Sequence, residues 1–199
     1  MTIKICGITC QQDADAAIAG GATAIGFNFF VGSPRYIAPE LAAGIRTTGV
    51  RRVGVFVNEA PARIAGIAEI AALDVAQLHG DESPAGYPER LPVWKAARVD
   101  DSFDFAQYRG SSAEALLLDG PAAHMYGGSG RTFDWKRAAQ CPQRIIVAGG
   151  LDASNVALAV ELAHPWGVDA CSRIESAPGR KDHRKMMEFL QAARAALGA

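Results

Sequence analysis

A recurrence constrains this chain more than any single residue does. Short apolar runs appear eight times, each closed by polar or glycine residues and then followed by a new segment. They are Ile3–Cys6, Ala24–Asn28, Val53–Val57, Val75–His79, Val93–Ala97, Ala115–Asp119, Arg144–Ala148 and Gly167–Cys171. Their last residues are spaced by about 24 on average, which is the length of one strand, one helix and two tight loops. Runs such as Val53-Gly54-Val55-Phe56-Val57 and Ile145-Ile146-Val147-Ala148 are apolar at nearly every position. Such runs suit parallel strands covered on both faces. A short apolar run alone does not separate strand from buried helix, so the repeat carries the assignment.

The intervening segments carry helix-start signals. Pro39 is placed to open a helix before Glu40-Leu41, and a helix is expected from near Gln11. Asn58 is expected to cap a helix with Pro61 in its first turn, and Ser154 to cap 156–163. Ser83-Pro84 has the same cap-then-proline order. The last helix, about 182–197, places Met186, Met187, Leu190, Ala193 and Leu197 on one stripe, read as core packing. Eight strand–helix units predict an α/β fold, a (β/α)8 barrel forming a single domain over residues 1–199. The competing architecture is an open doubly wound sheet. Eight evenly sized units and a long closing helix favour the barrel.

Apolar residues make up 49% of the 199, enough for a sizeable core. A net charge of −1 gives no electrostatic reason to expect nucleic acid or an anionic membrane as partner. No apolar stretch approaches the ~18 residues of a spanning helix, and no signal-peptide pattern is seen, so a cytoplasmic protein is expected. The four cysteines (Cys6, Cys10, Cys141, Cys171) form no C-x-x-C pair and read as free thiols, with no metal site expected.

In a barrel of this kind ligands bind at the C-terminal ends of the strands. Among the residues ending the eight runs, Cys6, His79, Asp119 and Cys171 can readily exchange protons. Asp119 closes an apolar strand, where a carboxylate is costly to desolvate unless it is paired or protonated. Taken alone, Cys6 reads as a small packing residue and Asp119 as a loop-closing carboxylate. Together, on strands 1 and 6 of one mouth, they read as a thiol–carboxyl pair. His79 reads as structural, and Arg35 as a solvated loop arginine unless the substrate carries a carboxylate. Glycine turns at Gly127–Gly130 and Gly149-Gly150, with Ser172-Arg173 after strand 8, point to a phosphorylated small molecule, because backbone N–H groups there converge on anions. Lys4 has the parity of Cys6, and Asp169 that of Cys171. Closure brings strands 1 and 8 together, so a Lys4–Asp169 ion pair inside the barrel is expected.

An ordered set of motifs then spans nearly the whole chain: Lys4-Ile5-Cys6-Gly7-Ile8-Thr9, Ser33-Pro34-Arg35, Val53–Asn58, Gln77-Leu78-His79-Gly80, Leu117-Leu118-Asp119, Gly127–Gly130 with Phe133-Asp134-Trp135, Ala148–Leu151, and Glu175–Asp182. The sequence resembles phosphoribosylanthranilate isomerase of tryptophan biosynthesis. The resemblance implies a single-domain barrel that needs no metal or organic cofactor; a monomer is expected in preference to a dimer. It implies an Amadori rearrangement of N-(5-phosphoribosyl)anthranilate to 1-(2-carboxyphenylamino)-1-deoxyribulose 5-phosphate. Carried over, Cys6 is the general base and Asp119 the general acid. Arg35 faces the anthranilate carboxylate. Gly149, Gly150, Ser172 and Arg173 bind phosphate, while Gly128 and Gly130 help to cover the site. One departure is Arg173, where many relatives carry glycine: either the local turn has negative φ or the phosphate pocket is reshaped.

Three rivals are weighed against it. Another phosphosugar barrel of histidine or indole biosynthesis is expected to use a carboxylate at the end of strand 1, or a lysine-based site. A non-catalytic phosphate-binding scaffold does not require both Cys6 and Asp119. A thiol redox protein using Cys6 and Cys10 meets a three-residue separation across a strand end and turn, which opposes easy pairing.

Overall fold

A computed structural model describes residues 1–100, 102–120 and 132–198. Eight parallel strands close into one barrel in sequence order, with β8 beside β1. The strands are β1 (Thr2–Cys6), β2 (Ala24–Asn28), β3 (Arg51–Phe56), β4 (Val75–Leu78), β5 (Val93–Arg98), β6 (Ala115–Asp119), β7 (Ile145–Val147) and β8 (Gly167–Ala170). The open-sheet alternative is excluded by the β1–β8 pairing. Val57, His79, Ala148 and Cys171 each lie one residue beyond their strand.

Two layers of side chains hold the barrel. Inward positions at its lower end, Ala24, Val53, Val75, Trp94, Ala115, Leu117 and Ile146, pack as an interior cluster. Trp94 is fully buried there, edge-on to Trp166 with its indole N–H on Glu114. Outward positions such as Ile5, Ile25, Phe27, Leu78, Leu116 and Val168 meet the helices. The helices are α1 (Gln11–Ala19), α2 (Pro39–Gly44), α3 (Pro61–Ile70), α4 (Trp135–Ala138), α5 (Val156–Ala163) and α6 (His183–Leu197). On α6, Met186, Phe189, Leu190, Ala193 and Leu197 are buried, while Met187 is half-buried against the same core. Each large member of that stripe contributes about 1.5–3 kcal/mol by leaving water. Asp182 caps the helix by accepting from the Lys185 N–H, and Gly198 ends it in left-handed conformation. Among the described residues, no helix is long and apolar enough to cross a membrane.

Three helix-start expectations are corrected. Asn58 does not cap α3: it adopts φ +52° and accepts from the Asp81 N–H at 2.7 Å, tying the loop after β3 to the loop after β4. Helix α3 starts at Pro61 behind an extended Ala60, as the residue before proline prefers. Ser154 does not cap α5, because its N–H and hydroxyl both bond Asp152 Oδ1; Asn155 holds the cap position. After Ser83-Pro84 the chain makes only a single 3₁₀ turn, Pro84–Gly86. Tyr87 precedes Pro88 and is therefore extended, and Pro92 follows soon after. A second 3₁₀ turn, Phe105–Tyr108, stands where a helix is expected after β5. Tyr87, Leu91, Phe103, Phe105 and Tyr108 cover that side of the barrel instead.

Beyond β8 the chain forms a short hairpin, β9 (Glu175–Ala177) and β10 (Arg180–Lys181), turning at Gly179 with φ +80°. Thr9 donates its hydroxyl to the Gly179 carbonyl at 2.6 Å, so the hairpin is tied to the loop after β1.

Candidate active site

The mouth at the strand C-termini is a cavity whose walls include Cys6, Arg35, Asp119, Gly149, Gly150, Ser172 and Arg173. Seven of the expected site residues thus share one opening. Gly128 and Gly130, with the rest of the 127–130 turn, lie outside the described residues.

Alternation along β1 directs Lys4 and Cys6 inward. Lys4 is fully buried, with Nζ 2.9 Å from Asp169 Oδ1, the pair expected from parity. Gly26 lies opposite Cys6 on β2, and a Cβ there would come within 3.0 Å of both Cys6 Sγ and Lys4 Nζ. The missing side chain makes room for the cation and the thiol. Gly7 adopts φ +74°, and a Cβ on it would approach Arg35 Cδ to 2.8 Å. Glycine there meets both the turn and the close approach.

The surroundings of Cys6 set its acidity. Interaction with the Cys171 thiol favours its ionisation, and burial opposes it. The Lys4 ammonium and, more remotely, Lys181 favour the thiolate. The result holds Cys6 well below the usual thiol range. Cys171 is held well above that range, by its interaction with Cys6 and by burial. Burial raises Asp169 to about 7 against the pull of Lys4.

Asp119 ends β6 and is buried. Its Oδ1 accepts from the Gly120 N–H at 2.8 Å, and its Oδ2 lies 3.6 Å from His79 Nε2. Gln77 Nε2 stands 3.0 Å from His79 Nδ1, which holds the other side of the ring. His79 reads as structural in the sequence, yet it belongs to the cavity wall beside Asp119. Its position at the end of β4 was the available signal.

Arg35 rises from the loop after β2. Ser33 shapes that loop, accepting from Asn28 Nδ2 and from the Arg35 N–H. The guanidinium makes a two-pronged contact with Glu175, Nε to Oε1 at 3.0 Å and Nη2 to Oε2 at 2.7 Å. Lys181 Nζ holds the same carboxylate at 2.8 Å. Glu175 stays ionised below the usual range, since Arg35 and Lys181 outweigh its burial. Glu175 and Lys181 have no signal in the strand pattern, because they lie in the hairpin that follows β8.

At the turn after β7, Gly149 and Gly150 adopt φ +78° and +66°, and Asn155 Nδ2 donates to the Gly150 carbonyl at 2.8 Å. After β8 the chain winds through a 3₁₀ turn, Ser172–Ile174, in which Arg173 has negative φ. That settles the question posed by the arginine: the turn tolerates a side chain. The guanidinium is half-exposed and turned to Asp152, Nε to Oδ2 at 2.6 Å.

The family model for N-(5'-phosphoribosyl)anthranilate isomerase matches residues 3–192. The chain belongs to the phosphoribosylanthranilate isomerase family. The N-(5'-phosphoribosyl)anthranilate isomerase of Solibacter usitatus is 73% identical over the full length of both chains. The crystal structure of phosphoribosyl anthranilate isomerase from Thermus thermophilus superposes with a TM-score of 0.89 at 36% identity, covering 98% of this chain and 99% of that one. A further structure of a phosphoribosyl anthranilate isomerase, in complex with reduced 1-(o-carboxyphenylamino)-1-deoxyribulose 5-phosphate, gives a TM-score of 0.85 at 35% identity over 98% and 99% of the two chains. The chain is therefore an aldose–ketose isomerase of tryptophan biosynthesis.

Proposed function

We propose that Cys6 and Asp119 carry the isomerisation of N-(5'-phosphoribosyl)anthranilate as base and acid across the barrel mouth. The observation that carries the assignment is the environment of Cys6: a thiol in the cavity, whose ionisation is favoured by the neighbouring Cys171 thiol and by a buried ammonium. Asp119, as the general acid, gives a proton to the ribose ring oxygen. The C1–O bond breaks as the anthranilate nitrogen lone pair forms a protonated imine. The Cys6 thiolate removes the proton from C2, and those electrons pass to the imine nitrogen, giving an enolamine. Tautomerisation yields the 1-deoxyribulose product. His79 is a positioning residue that steadies the Asp119 carboxyl.

Arg35 takes the anthranilate carboxylate, and its fixed fork supports that role. Backbone N–H groups of Gly149, Gly150, Ser172 and Arg173 take the 5-phosphate, as turns after the seventh and eighth strands of such barrels commonly do. The product analogue bound by the relative carries both groups. We also propose a monomer: among the described residues the exposed large apolar side chains Met1, Val31, Tyr36, Leu41, Ile70 and Leu158 are spread over the chain start, one loop and three helices. A charged phosphate ester does not cross a membrane unaided, which supports a cytoplasmic location.

The experiment is loss of anthranilate-type fluorescence when the substrate, made in situ, meets the purified protein. Turnover in a Cys6→Ser or Asp119→Asn variant at the wild-type rate would reject the residue assignment.

A further inference from the structure

We propose that Cys6 and Cys171 form a reversible disulfide across the β1–β8 seam when a hydroperoxide enters the mouth, making the thiol pair a redox modification site. Strand register carries this inference. On the paired strands Lys4 lies opposite Asp169 and Ile5 opposite Ala170. Continued one residue past Ala170, where β8 ends, the same register brings Cys171 level with Cys6. Neighbouring strands run about 4.8 Å apart, inside the roughly 4.4–6.8 Å Cα separation that a disulfide spans. Both cysteines share the inward parity of the Lys4–Asp169 pair two residues below, and both face the same cavity. The two thiols also interact closely enough that each shifts the acidity of the other. Cys10, the nearer thiol in sequence, is exposed at the start of α1 and does not share that wall. The partner of Cys6 thus comes from the far end of the chain.

The chemistry balances with hydrogen peroxide as oxidant. The Cys6 thiolate attacks one peroxide oxygen; the S–O bond forms, the O–O bond breaks, and hydroxide leaves to be protonated to water. Cys6 is now a sulfenic acid, oxidised by two electrons, and the peroxide is reduced. Cys171 then loses its proton and attacks the Cys6 sulfur. The S–S bond forms, the S–O bond breaks, and a second water leaves. Lys181 Nζ, 3.8 Å from Cys171 Sγ, favours that second ionisation. A dithiol reductant reverses the bond by exchange. Loss of activity on oxidation rests on Cys6 being the catalytic base; formation of the bond does not.

The test treats the full-length protein with sub-millimolar hydrogen peroxide and reads intact mass, peptide map and turnover. The expected result is a loss of two hydrogens, one linkage between Cys6 and Cys171, loss of turnover, and recovery of both by dithiothreitol. Cys171→Ser should instead gain oxygen at Cys6 and recover less of its own starting activity. Cys10→Ser should form the same linkage as wild type. A wild-type protein whose Cys6 takes up oxygen while Cys171 stays free, or whose Cys6 pairs with Cys10, overturns the proposal. If the Cys6–Cys171 bond forms and turnover persists, the disulfide stands and the assignment of Cys6 as base falls.

Discussion

Lys4 Nζ lies 2.9 Å from Asp169 Oδ1, joining the two strands that close the barrel. The ammonium is fully buried, and it sits beneath the thiol whose ionisation it favours. One side chain therefore serves both the seam and the chemistry. Lys4→Met leaves Asp169 buried without a partner, a change worth about 3–5 kcal/mol. Burial already raises Asp169 to about 7. A carboxyl harder to ionise when folded than when unfolded loses stability as pH rises, because the folded state binds more protons. The Lys4→Met penalty should therefore be largest near pH 8 and shrink as the pH falls and Asp169 takes up a proton. Urea unfolding at several pH values checks this, with Lys4→Met/Asp169→Asn as the partial rescue.

Cys6→Ser and Asp119→Asn should each lower kcat by about 10²–10⁴-fold, the range of general acid–base catalysis, with KM changed far less. Steady-state kinetics on each purified variant checks the split. A rise in KM at unchanged kcat would assign the residue to binding instead.

Cys171 should set where the acid limb of kcat/KM falls. The base works deprotonated, and its interaction with the Cys171 thiol favours that form. In the wild type the limb should lie below the ~8.5 of a free thiol. Cys171→Ala removes the donor and should move the limb to higher pH. Cys171→Ser restores a donor and should bring it back. A pH profile of kcat/KM for the three proteins is the measurement.

Glu175 should act through Arg35. Glu175→Gln removes the charge that aligns the guanidinium and should raise KM by roughly ten-fold or more, the scale of a lost hydrogen bond to a charged group. Its effect on kcat should be smaller. Arg35→Lys keeps the charge but loses the fork, and should raise KM in the same direction. A double variant no worse than Arg35→Lys alone would show that the two residues act on one path.

The sequence made the barrel legible because its strands are short, apolar and evenly spaced, and the same alternation that marks a strand placed Lys4 and Asp169 on one interior rung. The helices were less legible. A cap-then-proline signal stands before both α3 and the turn at Pro84, and only the prolines that follow separate a helix from a single 3₁₀ turn. Cys6 and Asp119 could be placed because they end strands. Glu175 and Lys181 could not, because they lie in a hairpin without apolar period. His79 was visible at its strand end, but its meeting with Asp119 depends on two strands, β4 and β6, that are not neighbours. Arg173 posed a backbone question that φ alone could answer, and no pattern in the sequence reports φ.

The seam where β1 meets β8 also sets an order of events. Lys4 and Asp169 are separated by 165 positions in the chain, a long-range contact of the kind that slows folding. During synthesis Cys6 emerges early and waits for nearly the whole polypeptide before the Cys171 thiol arrives. Until the last strand docks, its thiol keeps the acidity of an unstructured cysteine. The appearance of a thiol more acidic than a free cysteine is thus a clock for closure of the barrel, struck when the two ends of the sheet join.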